Sequence, residues 1–143
     1  MGSDIHHCGE MGTGIAIKLV LNLLGAINLL AQRQGDGVRV KMGLLLETLL
    51  PILTGGIGRN GFIVDYWLTK VLRGDTEPGF AICFSAKDLG LAAAMAEEAD
   101  APILTGAAAA SAMNRTAEAH GHLDVSGMLT VAYENAEVKS TFG

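Results

Sequence analysis

Residues 13–34, TGIAIKLVLNLLGAINLLAQRQ, decide the fold. Ile15, Ile17, Leu19, Val20, Leu21, Leu23, Leu24, Ile27, Leu29 and Leu30 point in every direction around a helix of 3.6 residues per turn. A helix apolar on all sides reads as one surrounded by protein, the core of its domain. Gly35-Asp36-Gly37 carries turn chemistry and is expected to end the helix. Ile15 to Ala31 is the most membrane-like stretch, but it is short for a span and holds Lys18, Asn22 and Asn28, which lipid would penalise. A buried central helix fits the same residues better.

Outward from this helix, Asp4 to Cys8 reads as a weakly strand-like lead-in, and Gly9, Gly12 and Gly14 punctuate a turn. Leu44 to Leu53 is a second apolar-periodic piece ending near Thr54-Gly55, and Gly55 to Gly61 is a loop. Phe62 to Leu72 is expected to be helical, closed by Arg73-Gly74. Ser85-x-x-Asp88 matches a capping box, with Leu89, Leu91, Ala92 and Met95 as the periodic face behind it. Pro102 suits a first helical position, Ala107 to His120 continues to a stop at Gly121, and Asp124 is placed to cap a last helix through Met128 to about Ala136. The pattern predicts an all-α helical bundle around a long buried central helix, with no internal repeat.

With 143 residues, 50% hydrophobic and 17% charged, the chain is one domain with enough apolar surface for a core, which excludes global disorder. A net charge of −5 without a Lys/Arg stripe argues against a nucleic-acid partner. Cys8 and Cys83 lie far apart and no secretory leader is read, so a reduced, cytoplasmic setting is expected. Met1-Gly2-Ser3 looks like a vector-derived start, and His6-His7 is either native or vector-derived. His6, His7, His120 and His122 lack a Cys or carboxylate at ligand spacing, so no metal site is expected.

Two glycine motifs compete for attention. Gly56-Ile57-Gly58-Arg59-Asn60-Gly61 matches the dinucleotide pattern G-x-G-x-x-G, yet a helical pattern precedes it where a strand is required, so it reads as an interhelical loop. Gly9-x-x-Gly12-x-Gly14-x-x-x-Lys18-x-x-x-Asn22 instead leads straight into the central helix. Residues four apart advance by about 40°, so Gly14, Lys18 and Asn22 form one stripe, with Gly14 leaving space a turn above the lysine. The plain reading has Lys18 snorkelling out of the core edge and Asn22 bonding a neighbouring helix. The sharper one has Lys18 held against apolar walls. Its ammonium form is then disfavoured, and it can exchange a proton with an alcohol near neutrality while Asn22 orients the oxygen.

Three blocks in order carry a family resemblance: Gly9-Glu10-Met11-Gly12-Thr13-Gly14 with Lys18 and Asn22; Phe84-Ser85-Ala86-Lys87-Asp88-Leu89-Gly90-Leu91-Ala92; and Gly121-His122-Leu123-Asp124-Val125-Ser126. Over nearly its whole length the chain resembles the C-terminal, all-helical domain of the β-hydroxyacid dehydrogenases, which include 3-hydroxyisobutyrate dehydrogenase and tartronate semialdehyde reductase. The resemblance implies Lys18 as catalytic lysine, Asn22 and Gly14 at the substrate, and Lys87 reaching the cofactor. It further implies NAD or NADP bound mainly by a Rossmann domain absent from these residues, a small hydroxyacid substrate, and a homodimer or higher homo-oligomer. Asp88 and Asp124 are read as helix caps.

The 6-phosphogluconate dehydrogenases share this all-α domain but usually carry a histidine shortly before the lysine, where this chain has Ile15-Ala16-Ile17. On this reading residues 1–11 are a lead-in from the Rossmann domain or a vector start, and residues 12–143 the substrate, catalytic and dimerisation domain. At Gln32 to Val40 the family usually continues its long helix through an acidic, alanine-rich turn, and here that segment is expected to be shortened. The alternative is a stand-alone helical dimerisation module without catalysis.

Overall fold

The computed structural model describes residues 4–73, 77 and 79–128. Four α-helices run α1 (Thr13–Lys41), α2 (Leu46–Gly55), α3 (Ile82–Glu98) and α4 (Leu104–His120). A π-helical segment, Phe62–Trp67, and a 3₁₀ turn, Val71–Arg73, lie between α2 and α3. Among the described residues the only extended pairing is an isolated bridge between Ala81 and Asp124, so the domain is all-α and the Asp4 to Cys8 lead-in is irregular.

The expected break at Gly35-Asp36-Gly37 is not there: α1 runs through it to Lys41. Each glycine costs a helix about 1 kcal/mol relative to alanine. Against that, the buried Asp36 and Arg39 pair three residues apart, and Arg39 also donates to the Leu44 carbonyl at 2.9 Å. The stop comes at Gly43, the glycine of this stretch with a left-handed φ of 67°. There Gly43 N donates to Val40 O and Leu44 N to Arg39 O, the paired bonds of a Schellman ending.

The main core joins Ala26, Leu29 and Leu30 of α1 to Ile82, Ala86 and Leu89 of α3, Ala109 and Met113 of α4, and Val125 and Met128. The first half of α1 is therefore not buried on every side. Leu19 and Ala26 face the core, while Ile17, Val20, Leu21 and Leu24 stay exposed over an arc of about 100° on the opposite side. By length and composition α1 would also cross a membrane; here it packs on α3 and α4.

Phe62 to Leu72 departs from a regular α-helix because the chain serves two cores at once. Ile63 and Trp67 share one face and bury against Leu46, Leu50 and Leu53 of α2, whereas Phe62 and Tyr66, with ring centroids 4.8 Å apart, pack toward the main core.

Two expected helix starts, at Ser85-x-x-Asp88 and at Pro102, are corrected. Ser85 and Asp88 lie inside α3, whose first turn is satisfied by backbone instead: Ile82 N donates to Leu123 O at 2.9 Å and Cys83 N to Gly121 O at 3.0 Å. Pro102 precedes the N-cap Ile103, so α4 begins at Leu104. Asp124 does accept the Ser126 N–H at 3.0 Å, as a cap would, but it also ties down the entry to α3. The rest of the last expected helix, from residue 129 on, lies outside the described residues.

Candidate active site

The stripe expected on α1 meets α3. Lys18 Nζ and Asn22 Nδ2 both donate to Oδ2 of Asp88, the asparagine at 2.7 Å, across 70 and 66 positions of sequence. Lys87 Nζ lies 3.0 Å from the other oxygen, Oδ1. One carboxylate thus gathers two of the three site residues expected on α1, Lys18 and Asn22, and the one expected on α3, Lys87. The Asp88 side chain is only 1% exposed, yet Lys18 and Lys87 above it are 52% and 60% exposed. It is a carboxylate at the bundle surface roofed by two lysines rather than one sunk in the core. Gly14, a turn before Lys18, has open space where a Cβ would stand.

Burial raises the pKa of Asp88, but hydrogen bonds from Lys18, Lys87 and Asn22, with the charge of Lys18, outweigh it and hold the carboxyl below its ordinary range. Asp88 is therefore an anion at neutral pH, and it orients the lysine and the amide toward the space beside them. The expected apolar walls around Lys18 are absent, since the lysine is half exposed and its fixed neighbour is a carboxylate. Lys87 sits in the second turn of α3. A cleft of about 100 Å³ adjoins the stripe, lined by Leu21, Asn22, Gly25, Phe80 and Ser85 among others.

Asp88 is the residue that the sequence reading assigned to the wrong job. The signal was present: Ser85, Asp88, Leu89 and Ala92 share one buried face of α3, and a carboxylate on such a face needs a cation. Asp124 is the scaffold's counterpart. It accepts from Tyr66 Oη at 2.7 Å, from the N–H groups of Gly79 and Phe80, and from both the N–H and Oγ of Ser126. Burial raises its pKa, and those donors together bring it down to about 2. The G-x-G-x-x-G stretch lies between α2 and the π-helical segment, where Asn60 Oδ1 accepts the Ile63 N–H; among the described residues no strand precedes it.

Residues 12–132 match the family described as NAD-binding of NADP-dependent 3-hydroxyisobutyrate dehydrogenase. The chain is 36% identical over 104 residues to the 2-(hydroxymethyl)glutarate dehydrogenase of Eubacterium barkeri, covering 72% of this chain and 34% of that protein. It is 32% identical over 137 residues to a probable 3-hydroxyisobutyrate dehydrogenase of Mycobacterium tuberculosis, covering 90% and 46%. Among solved structures, Mycobacterium tuberculosis 3-hydroxyisobutyrate dehydrogenase with L-serine superposes with a TM-score of 0.83 at 29% identity, over 92% of this chain and 47% of that one. An all-helical domain carrying a lysine, an amide and a carboxylate on two facing helices is the class that fold and site define. The chain belongs to the 3-hydroxyisobutyrate dehydrogenase family of NAD(P)-dependent hydroxyacid dehydrogenases. It spans between 34% and 46% of the length of these relatives.

Proposed function

We propose that this chain is the C-terminal substrate-binding and catalytic-lysine domain of an NAD(P)-dependent dehydrogenase acting on a small 3-hydroxyacid, inactive without a Rossmann half. The convergence of Lys18, Asn22 and Lys87 on the single carboxylate of Asp88 carries this reading. Lys18 takes the hydroxyl proton during oxidation and returns it during reduction. Asn22 holds the substrate oxygen, and the bare Cα of Gly14 leaves room for the substrate beside the lysine. Asp88 positions both side chains.

The described residues contain no βαβ unit, so they fit only the reacting end of a dinucleotide, with the exposed Lys87 at the edge of the site to hold it. When bound, the nicotinamide exchanges hydride with the substrate carbon. The cofactor of this reading is NAD or NADP. The exposed stripe of Ile17, Val20, Leu21 and Leu24 is the surface that we assign to a Rossmann half or a second copy in a cytoplasmic homo-oligomer.

The test joins this chain to a Rossmann half of the family and follows hydride transfer. Lys18→Ala is expected to lower turnover by about 10²–10⁴-fold with the helical content unchanged, and full retained activity overturns the assignment. The same stripe supports a second reading, a helical dimerisation module without catalysis. A concentration-independent monomer in sedimentation counts against that one.

A further inference from the structure

The cleft of about 100 Å³ beside the α1 stripe is smaller than the roughly 300–1,000 Å³ of whole small-molecule sites, so it has room for one substituent of a substrate held at its edge. Asn22 belongs to both places: it lines the cleft and donates to Asp88 Oδ2 at 2.7 Å. Ser85 lines the same cleft from α3. Three residues before Asp88, it stands one turn away on the same buried face of that helix.

The hydroxyl of Ser85 is the polar group of this cleft that the protein leaves without a use. A hydroxyl inside a helix commonly returns to the carbonyl four residues back, as Thr116 does to Ala112 at 3.1 Å and Thr54 to Leu50 at 2.9 Å. Ser85 is 5% exposed, and its hydroxyl has no hydrogen-bond partner among the described residues. In those residues the unpaired polar side-chain atoms that are wholly covered belong to Gln32, Trp67 and Asp88. Ser85 Oγ is not among them, so this oxygen keeps accessible surface, and the cleft is the open space that Ser85 lines. The rest of the lining is largely apolar, with Leu21, Gly25, Phe62 and Phe80 in it, and no charged side chain contributes.

We propose that Ser85 selects the substrate, its hydroxyl bonding a neutral hydroxyl group on the carbon next to the reacting one. This rests on Lys18 and Asn22 being the reacting end of the site. With the reacting oxygen there, the substituent on the neighbouring carbon is the part of a 3-hydroxyacid that enters a cleft beginning at Asn22. A hydroxyl meets Ser85 Oγ as donor or as acceptor. A methyl would shut that oxygen from water and give it no partner. A carboxylate-ended substituent would find no cation in the cleft.

2,3-Dihydroxypropanoate and 3-hydroxy-2-methylpropanoate differ only in that substituent. Both are titrated into the purified chain, with the Asn22 side-chain amide followed by NMR. The dihydroxy acid is expected to bind at least about tenfold more tightly, the loss that follows when a buried hydroxyl is left unpaired. Ser85→Ala is expected to bring the two acids within about twofold of each other by weakening the dihydroxy acid. Alanine is the strongest helix former, so the variant keeps α3, and a merely structural role would move both acids together. Equal binding of the two acids by the native chain, a ratio unchanged in Ser85→Ala, or no saturable shift with either acid overturns the proposal. The lysine assignment fails separately: full turnover of Lys18→Ala in the joined chain sinks it, while the binding preference and its loss in Ser85→Ala still support selection by Ser85.

Discussion

In the first half of α1, Lys18 and Asn22 reach across to Asp88 on α3; in the second half, Asp36 and Arg39 close on each other three residues apart. Both halves put polar side chains into an apolar helix, and both give these four a partner. The first does so between helices, with the lysine half exposed and free to meet another molecule. The second does so within one helix, where both partners are buried and neutralise each other. Pairing across elements thus holds a reactive group at the surface in a fixed direction, whereas local pairing lets a helix continue through residues that would otherwise end it.

The comparison breaks most visibly at Arg39. Arg39→Met leaves the buried Asp36 without its cation and is expected to cost about 3–5 kcal/mol, a large part of a domain's stability, as measured by urea unfolding. Adding Asp36→Leu to that variant is expected to restore most of the loss, because no lone charge is left buried.

Acid tests the scaffold next. A carboxylate with an unfolded pKa near 4 and a folded value of about 2 adds stability above pH 4, and that contribution is lost as pH falls from about 4 through 2. For Asp124 the contribution is about 2 kcal/mol, and Asp124→Asn is expected to remove most of the pH dependence of unfolding in that window. Asp88 shifts in the same direction and adds to the slope over the same side of its ordinary range.

Smaller effects sharpen the contrast. Asp100, a non-glycine residue with φ of 51°, occupies the Schellman position that ends α3, as Gly43 does for α1. Asp100→Gly is expected to gain up to about 1 kcal/mol in thermal or urea unfolding. Lys18→Met is expected to change stability by less than about 1 kcal/mol, because a half-exposed lysine adds little to folding. A loss as large as that of Arg39→Met would erase the distinction between the two halves.

Much of this was legible in the sequence. The helical period, the glycine before α1 and the stripe of Gly14, Lys18 and Asn22 are local patterns, and the structure has the stripe on one helix, with Lys18 and Asn22 reaching α3. What was not legible depends on partners distant in sequence. Gly35 and Gly37 read as a stop because nothing local says that Asp36 and Arg39 will be buried together. Asp88 read as a cap because the true caps of α3 are the Gly121 and Leu123 carbonyls, almost forty residues on. The apolar-all-round look of α1 says that a surface wants covering without saying which molecule covers it.

Lys18 and Asp88 work as one unit in the proposed reaction. A double-mutant cycle on hydride transfer, in the chain joined to a Rossmann half, tests it most directly. Lys18→Ala and Asp88→Asn should each lower the rate, and the double variant should be no slower than Lys18→Ala alone, because residues acting as a unit are non-additive. Losses that multiply, or a Lys18→Ala enzyme that turns over at the native rate, would contradict it.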